Sequence, residues 1–364
     1  MSDVAVQIAA SQKAQQKLPQ WTHSQGIIYA SALSMEQCSS EKTARYKASL
    51  VSGNLLLDLT GGMGVDTFYM SQNFMQAIHI EAQTQLSEIT AHNFAVLGAQ
   101  NIRCENTEAF QFLQENPETI ADFIFLDPAR RDEHKKKVFL LEDCQPNVRD
   151  LLPYLQKNAK RWLLKLSPML DIKQALSQLP PVREVHIVAV ENECKELLFL
   201  IDNTLQEIPA EPKMVASNLK GESVQTFAFY SSEEKSAICA FAEETVGAYL
   251  YEPNAALLKA GAFKSIAQKF GLKKLHPDSH LYCSEDLVTD FYGRIFKVEN
   301  VLPYQPKLLA QQIPDGKANI SVRNFPDTVA QIRTRTKLKD GGDTYIFGTT
   351  TYAGKHVLLC CKKV

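Results

Sequence analysis

Apolar and polar positions change period near residue 50. Over the first fifty residues apolar side chains recur at helical spacing, predicting one helix over 4–16, halted at Leu18-Pro19, and another over 34–50 with Glu36 in its first turn. From Asn54 onward short apolar runs alternate with helical stretches, the pattern of βαβ units and hence of an α/β fold. Strands are predicted at 55–59, 77–81, 102–105, 123–127, 162–167, 185–190 and 197–202, with helices at 65–72, 83–97, 108–114, 142–156 and 172–178 between the first six. Only Glu191-Asn192-Glu193-Cys194 separates the last two strands, too few residues for a crossover helix, so they pair as an antiparallel hairpin. A Pro-bearing linker at 206–213 marks a boundary. Beyond it, segments at 223–230, 233–246, 255–270 and 292–298 read as a small α+β unit. The last stretch predicts a helix near 307–312, a strand near 319–323, a basic helix near 329–337 and a terminal hairpin of 344–351 and 356–362. The expected organisation is a helical region at 1–50, a Rossmann-like domain at 51–204, an α+β domain at 205–298 and a further domain at 299–364.

With 364 residues, 45% hydrophobic and 22% charged, the chain can bury more than one core. Its net charge of −2 gives no global footprint for a polyanion, so a nucleic acid would have to be held by a local patch. Residues 301–364 supply one: ten Lys or Arg stand against four Asp or Glu, a net of +6. A solvated basic end with no specific partner is the competing reading. Eight cysteines without a CxxC pair read as reduced thiols of a cytoplasmic protein, and the dispersed histidines show no metal-ligand spacing. No apolar run approaches a membrane span and no basic-then-apolar leader opens the chain, so neither export nor membrane insertion is expected.

Asp58-Leu59-Thr60-Gly61-Gly62-Met63-Gly64-Val65-Asp66 falls at the carboxyl end of the first predicted strand and opens the first helix, where a doubly wound sheet binds its nucleotide. Gly62 and Gly64 permit a tight turn and close approach of a ligand. The dehydrogenase fingerprint asks for Gly or Ala three residues after Gly64, beneath a pyrophosphate; Thr67 stands there. S-adenosylmethionine (SAM) carries no phosphate and suits this loop better, with Asp58 near its amino acid moiety and Thr60, Gly61, Gly62, Gly64 and Asp66 around it. Glu81 ends the second strand, where a carboxylate can accept both ribose hydroxyls, and Thr107 and Glu108 are candidates for the adenine edge. An ordinary strand-to-helix turn would use the same glycines. A nicotinamide-dependent oxidoreductase would explain the glycines and Glu81, though not Thr67.

Asp122-Phe123-Ile124-Phe125-Leu126-Asp127-Pro128-Ala129-Arg130-Arg131 runs an apolar strand into a carboxylate, a proline and two arginines. Asp127 and Pro128 match the segment with which methyltransferases hold exocyclic amines and are the catalytic candidates; Ala129 and Arg130 depart from it and remove an aromatic stacking surface. The fifth strand ends Lys165-Leu166-Ser167-Pro168 with no cysteine nucleophile, which disfavours covalent catalysis, and Cys144 reads as a small helix-face residue. Asp127 is expected to orient and partly deprotonate an acceptor, with Arg130, Arg131 and Lys165 anchoring substrate. A solvated charged loop is the plain alternative for 130–137.

Taken together these residues resemble bacterial class I SAM-dependent methyltransferases with a C-terminal THUMP-like domain. Besides the two loops, the resemblance is carried by Leu18-Pro19-Gln20-Trp21, Glu36-Gln37-Cys38-Ser39-Ser40 with Thr43, Tyr46 and Lys47, Leu141 with Glu142, Asp143 and Cys144, Lys165-Leu166-Ser167-Pro168, Glu193-Cys194-Lys195-Glu196-Leu197, Tyr251-Glu252-Pro253-Asn254-Ala255 and Arg323-Asn324-Phe325-Pro326. It implies a seven-stranded Rossmann-like sheet with its last strand antiparallel, a ferredoxin-like domain, and a THUMP-like end that holds RNA, with Arg333, Arg335 and Lys337 as its candidate contacts. The activity expected is direct in-line methyl transfer from SAM to a tRNA or rRNA base, with no metal. A non-catalytic RNA-binding protein that retains SAM and a small-molecule methyltransferase are the alternatives within the fold.

Overall fold

The computed structural model of the protein describes residues 3–130 and 141–364. Two compact units divide the chain, 1–190 with 195–213 and 191–194 with 214–364.

Seven strands of the first unit belong to one nine-stranded sheet: β1 (Gly53–Asp58), β2 (Phe74–Ile80), β3 (Ile102–Glu105), β4 (Ala121–Leu126), β5 (Ala159–Leu166), β6 (Glu184–Val190) and β7 (Glu193–Asp202). Their spatial order is β6-β7-β5-β4-β1-β2-β3. β1 runs parallel to β2 and β4, β4 parallel to β5, and β7 antiparallel to β5. Apolar runs such as Phe123, Ile124 and Phe125 or Trp162, Leu163 and Leu164 are buried throughout, as central strands covered on both faces require. The predicted hairpin is present: Glu191 and Asn192 form its two-residue turn with φ of 48° and 69°. Strand order reverses between β1 and β4, which opens a crevice beyond their carboxyl ends.

Two predicted helices are each divided in the structure. The stretch 34–50 forms Ala32–Gln37 and Glu41–Ala48. Between them Ser40 turns its hydroxyl to the backbone N–H of Thr43 as a helix cap, so local side-chain bonding outcompetes helix continuation. The stretch 142–156 begins as a single 3-10 turn, Leu141–Asp143, passes through Cys144–Gln145 as an extended segment, and becomes helical only at Val148–Asn158. Pro146 explains this, because it disfavours helical backbone before it and lacks a donor. Cys144 is therefore a buried strand residue opposite Arg130, not a helix-face residue.

The second unit holds a seven-stranded sheet: β8 (Tyr249–Pro253), β9 (Lys273–Lys274), β10 (Tyr282–Ser284), β11 (Gly293–Pro303), β12 (Asn319–Arg323), β13 (Thr344–Thr350) and β14 (His356–Lys363), in the order β9-β10-β8-β11-β14-β13-β12. The terminal hairpin, the 319–323 strand and the basic helix, here Val329–Thr336 with a Thr328–Gln331 capping box, follow the sequence pattern. Among the described residues no helix is long and apolar enough to cross a membrane.

The N-terminal helices join the first unit through Ala14, Leu18 and Trp21, whose indole meets Phe68 edge-on at 5.8 Å. A polar tie accompanies them. Lys47, wholly buried, donates to both oxygens of Glu196 on β7 at 2.9 and 2.8 Å and lies 3.2 Å from Asp66. Replacing Lys47 by Met strands two buried carboxylates and is expected to cost about 3–5 kcal/mol in urea unfolding at neutral pH. Adding Glu196→Leu should return a large part of that loss. Equal stability of Lys47→Met and the native chain would show that the tie holds nothing.

Candidate active site

A cleft of about 1230 Å³ opens beyond the carboxyl ends of β1, β2, β4 and β5. That exceeds the usual volume of a small-molecule site, about 300–1,000 Å³, and leaves room beside a cofactor for part of an acceptor. The loop after β1 forms its floor. Gly61 lies against the buried imidazole of His79, and a Cβ there would fall 2.2 Å from Nε2. Burial pushes the His79 pKa down to about 4, so the ring under the loop is neutral at physiological pH. Gly62 has φ +55° and an open Cβ side, the nearest atom lying 3.9 Å away, so it leaves space where a ligand would pass.

Asp58 is buried at the end of β1 and accepts from the backbone N–H of Thr60 at 3.1 Å and from the hydroxyl of Thr67 at 2.5 Å. Burial pushes its carboxyl up to about 7. Thr67 thus has a positive role in place of the dehydrogenase glycine: it holds the acid that shapes the loop. Glu81 lines the opposite side, accepting from the N–H of Gly62 at 2.9 Å and of Gln83 at 2.8 Å. Asn106 steadies that corner through the carbonyls of Glu81 and Ala82, and Thr107 and Glu108 continue the wall.

Asp127 and Pro128 follow β4 into the same cleft, and the backbone N–H of Asp127 donates to the Thr60 hydroxyl at 2.6 Å. The Lys165 ammonium, from β5, pairs with the Asp127 carboxylate. Burial works against charge on Lys165, but Asp127, Asp66 and Glu196 outweigh it and hold the ammonium well above its ordinary range. Behind this pair Ser39 donates to Asp66 at 2.7 Å and Lys47 joins Asp66 to Glu196. Among the described residues around the cleft, the acidic side chains of Asp58, Asp66, Glu81, Glu108, Asp127 and Asp171 outnumber the amines of Lys165 and Lys195. Such a lining disfavours a pyrophosphate and favours a cationic ligand.

The structure therefore gathers Asp58, Thr60, Gly61, Gly62, Gly64, Asp66, Glu81, Thr107, Glu108, Asp127, Pro128 and Lys165 along one cleft. Arg130 contributes backbone to a short ribbon with Cys144, and Arg131 lies outside the described residues. Arg333, Arg335 and Lys337 belong to the second unit. Arg333 turns toward the carbonyls of Leu338 and Ala318 and pairs with Asp340; Arg335 pairs with Asp327; Lys337 caps its helix with φ 61°. Sequence reasoning gave no role to Glu196 or Lys47. Glu196 stands among Leu197, Leu198 and Phe199 in a strand buried on both faces, and a charge at such a position requires a partner.

Comparison with known proteins places this geometry in a family. Residues 249–291 match a ferredoxin-like domain model and residues 293–363 a THUMP domain-like model. A crystal structure from Porphyromonas gingivalis W83, described as that of a candidate methyltransferase, is 36% identical, covers 100% of this chain and 90% of its own, and superimposes with a TM-score of 0.90. Two Mycobacterium tuberculosis proteins, from strains CDC 1551 and H37Rv, are described as uncharacterised SAM-dependent methyltransferases; each is 22% identical over 324 residues, 88% of this chain and 84% of theirs. The chain belongs to the family of SAM-dependent methyltransferases that carry ferredoxin-like and THUMP-like C-terminal domains.

Proposed function

We propose that the enzyme methylates a base of RNA, in tRNA or rRNA, by direct in-line transfer with no covalent enzyme intermediate. The observation that carries the reading is the placement of Asp127 at the cleft, bonded through its own backbone to the glycine-loop residue Thr60 and through its side chain to Lys165. Family membership removes the nicotinamide reading, and the acidic lining agrees with a sulfonium cofactor.

The residues fit SAM in three respects. Gly62 leaves the loop open where a Cβ would intrude, Glu81 offers a carboxylate at the end of β2, and Thr107 presents a buried hydroxyl with no hydrogen-bond partner among the described residues. When bound, SAM supplies an electrophilic methyl group, so the protein's task is orientation and charge placement. Asp127 accepts a hydrogen bond from the acceptor's N–H or O–H and aims its lone pair; Lys165 pairs with that carboxylate and fixes its position. Pro128 stiffens the backbone beside it. Cys38 is the cysteine that lines the cleft among the described residues. Its S–H is turned to the Met35 carbonyl at 3.4 Å and burial raises its pKa, which supports a mechanism without a thiolate nucleophile. RNA as the substrate class is supported by the THUMP-like segment and by the net charge of +6 over residues 301–364.

Two variants test the assignment. Asp127→Asn should lower methyl transfer from labelled SAM to unmodified RNA by about 10²–10⁴-fold while SAM affinity, measured by calorimetry, stays within about threefold. Transfer at the native rate would remove Asp127 from the chemistry. Glu81→Gln should act in the opposite sense, weakening SAM binding about tenfold or more while turnover at saturating SAM is largely kept; unchanged affinity would leave the ribose without its assigned acceptor.

A further inference from the structure

A second charged cluster is built within the second unit. Glu252, on β8, is 2% exposed. Arg294, its direct antiparallel neighbour on β11, donates from Nε to Glu252 Oε2 at 2.7 Å. Arg323, the last residue of β12, donates from Nη2 to Oε1 at 2.8 Å. In the sheet order β12 stands four strand spacings from β8, about 19 Å if the sheet were flat. An arginine cannot reach across that interval, so the sheet curls until the end of its edge strand returns to Glu252.

Charge at this point does not balance. One bidentate arginine satisfies a buried carboxylate, yet two converge on it, and among the described residues neither has a second carboxylate partner. Both guanidinium groups stay reachable, with side chains 35% and 38% exposed, and each retains N–H donors beyond those given to Glu252. Asn324 follows Arg323 in a left-handed conformation, φ 50°, which a non-glycine residue adopts only when its surroundings enforce it. Here they do: its carbonyl accepts the Thr350 hydroxyl at 2.5 Å and its side-chain amide lies 2.9 Å from His276 Nδ1. That ring nitrogen also accepts from the N–H of Asp278 at 3.1 Å, which leaves the ring's hydrogen on Nε2 as another donor. By contrast Arg333 and Arg335, at the more basic helix, are each neutralised by an aspartate.

We infer that Arg294 and Arg323, oriented by Glu252, form a clamp for a backbone phosphate of the RNA substrate. The inference rests on RNA being the substrate and adds where its backbone is held. Arginine suits the task because its planar fork matches phosphate oxygens, and the buried carboxylate fixes that fork before the ligand arrives.

The experiment measures binding of the full chain to a fluorescent in vitro transcribed tRNA pool between about 50 and 200 mM salt, beside the urea unfolding midpoint of each variant. Arg294→Gln and Arg323→Gln should each weaken binding about tenfold and lower the salt slope by about one. Glu252→Gln removes the opposing charge and keeps an acceptor, so it should lower the unfolding midpoint while RNA binding is kept or tightened. A merely structural triad predicts otherwise: RNA affinity unmoved by the arginine variants, or lowered by all three in step with stability. Either result overturns the clamp and leaves the RNA reading standing. Failure of the native chain to bind RNA at any of these salt concentrations overturns both.

Discussion

A lysine ammonium sealed from water sets the terms for the first unit. Lys47 has no access to solvent, and a charge so placed persists only where acceptors surround it. It draws Glu196 from the hairpin strand, Asp66 from the helix after the glycine loop and Ser39 from the break between two N-terminal helices into one arrangement. Three separate parts of the chain are thereby fixed against one another. The cleft inherits that geometry, since Asp66 and Ser39 both line it. Tyr46, one residue earlier, adds a second tie to the sheet through His186 at 2.9 Å.

Much of this was legible in the sequence because the signals were local. Apolar runs separated by helical stretches located the seven strands of the first unit, and the short gap Glu191-Asn192-Glu193-Cys194 required the antiparallel hairpin. The loop from Asp58 to Asp66 and the segment at Asp127 announced themselves by residue type at strand ends. What stayed hidden was long-range. The pairing of Lys47 with Glu196 joins residues 149 positions apart, and nothing in either segment names the other. The helix breaks at Ser40 and Pro146 were missed for a different reason: both carry local signals, a capping hydroxyl and a proline, that a search for helical periodicity passes over.

Charge distribution separates the two units functionally. The cleft is rich in carboxylates, which suits a cationic cofactor and would repel a phosphodiester backbone. Residues 301–364 are basic, and in the second unit Arg333 and Arg335 are each paired with an aspartate while Arg294 and Arg323 share one glutamate, Glu252. Under the proposed RNA reading, the polyanion is held by residues distinct from those that hold the cofactor, and only the base need enter the acidic cleft.

The hydrogen bond from the Asp127 backbone to the Thr60 hydroxyl has a thermodynamic meaning as well as a geometric one. In the proposed assignment Thr60 belongs to the loop that cradles the cofactor, and Asp127 to the loop that meets the acceptor. Because one bond spans both, the two ligands are linked: whatever factor the cofactor adds to acceptor affinity by ordering this bond, the acceptor must return to cofactor affinity in the same measure. The same equality holds for the products: any factor by which the bound demethylated cofactor changes the affinity of the methylated acceptor is matched by an equal factor in the reverse direction.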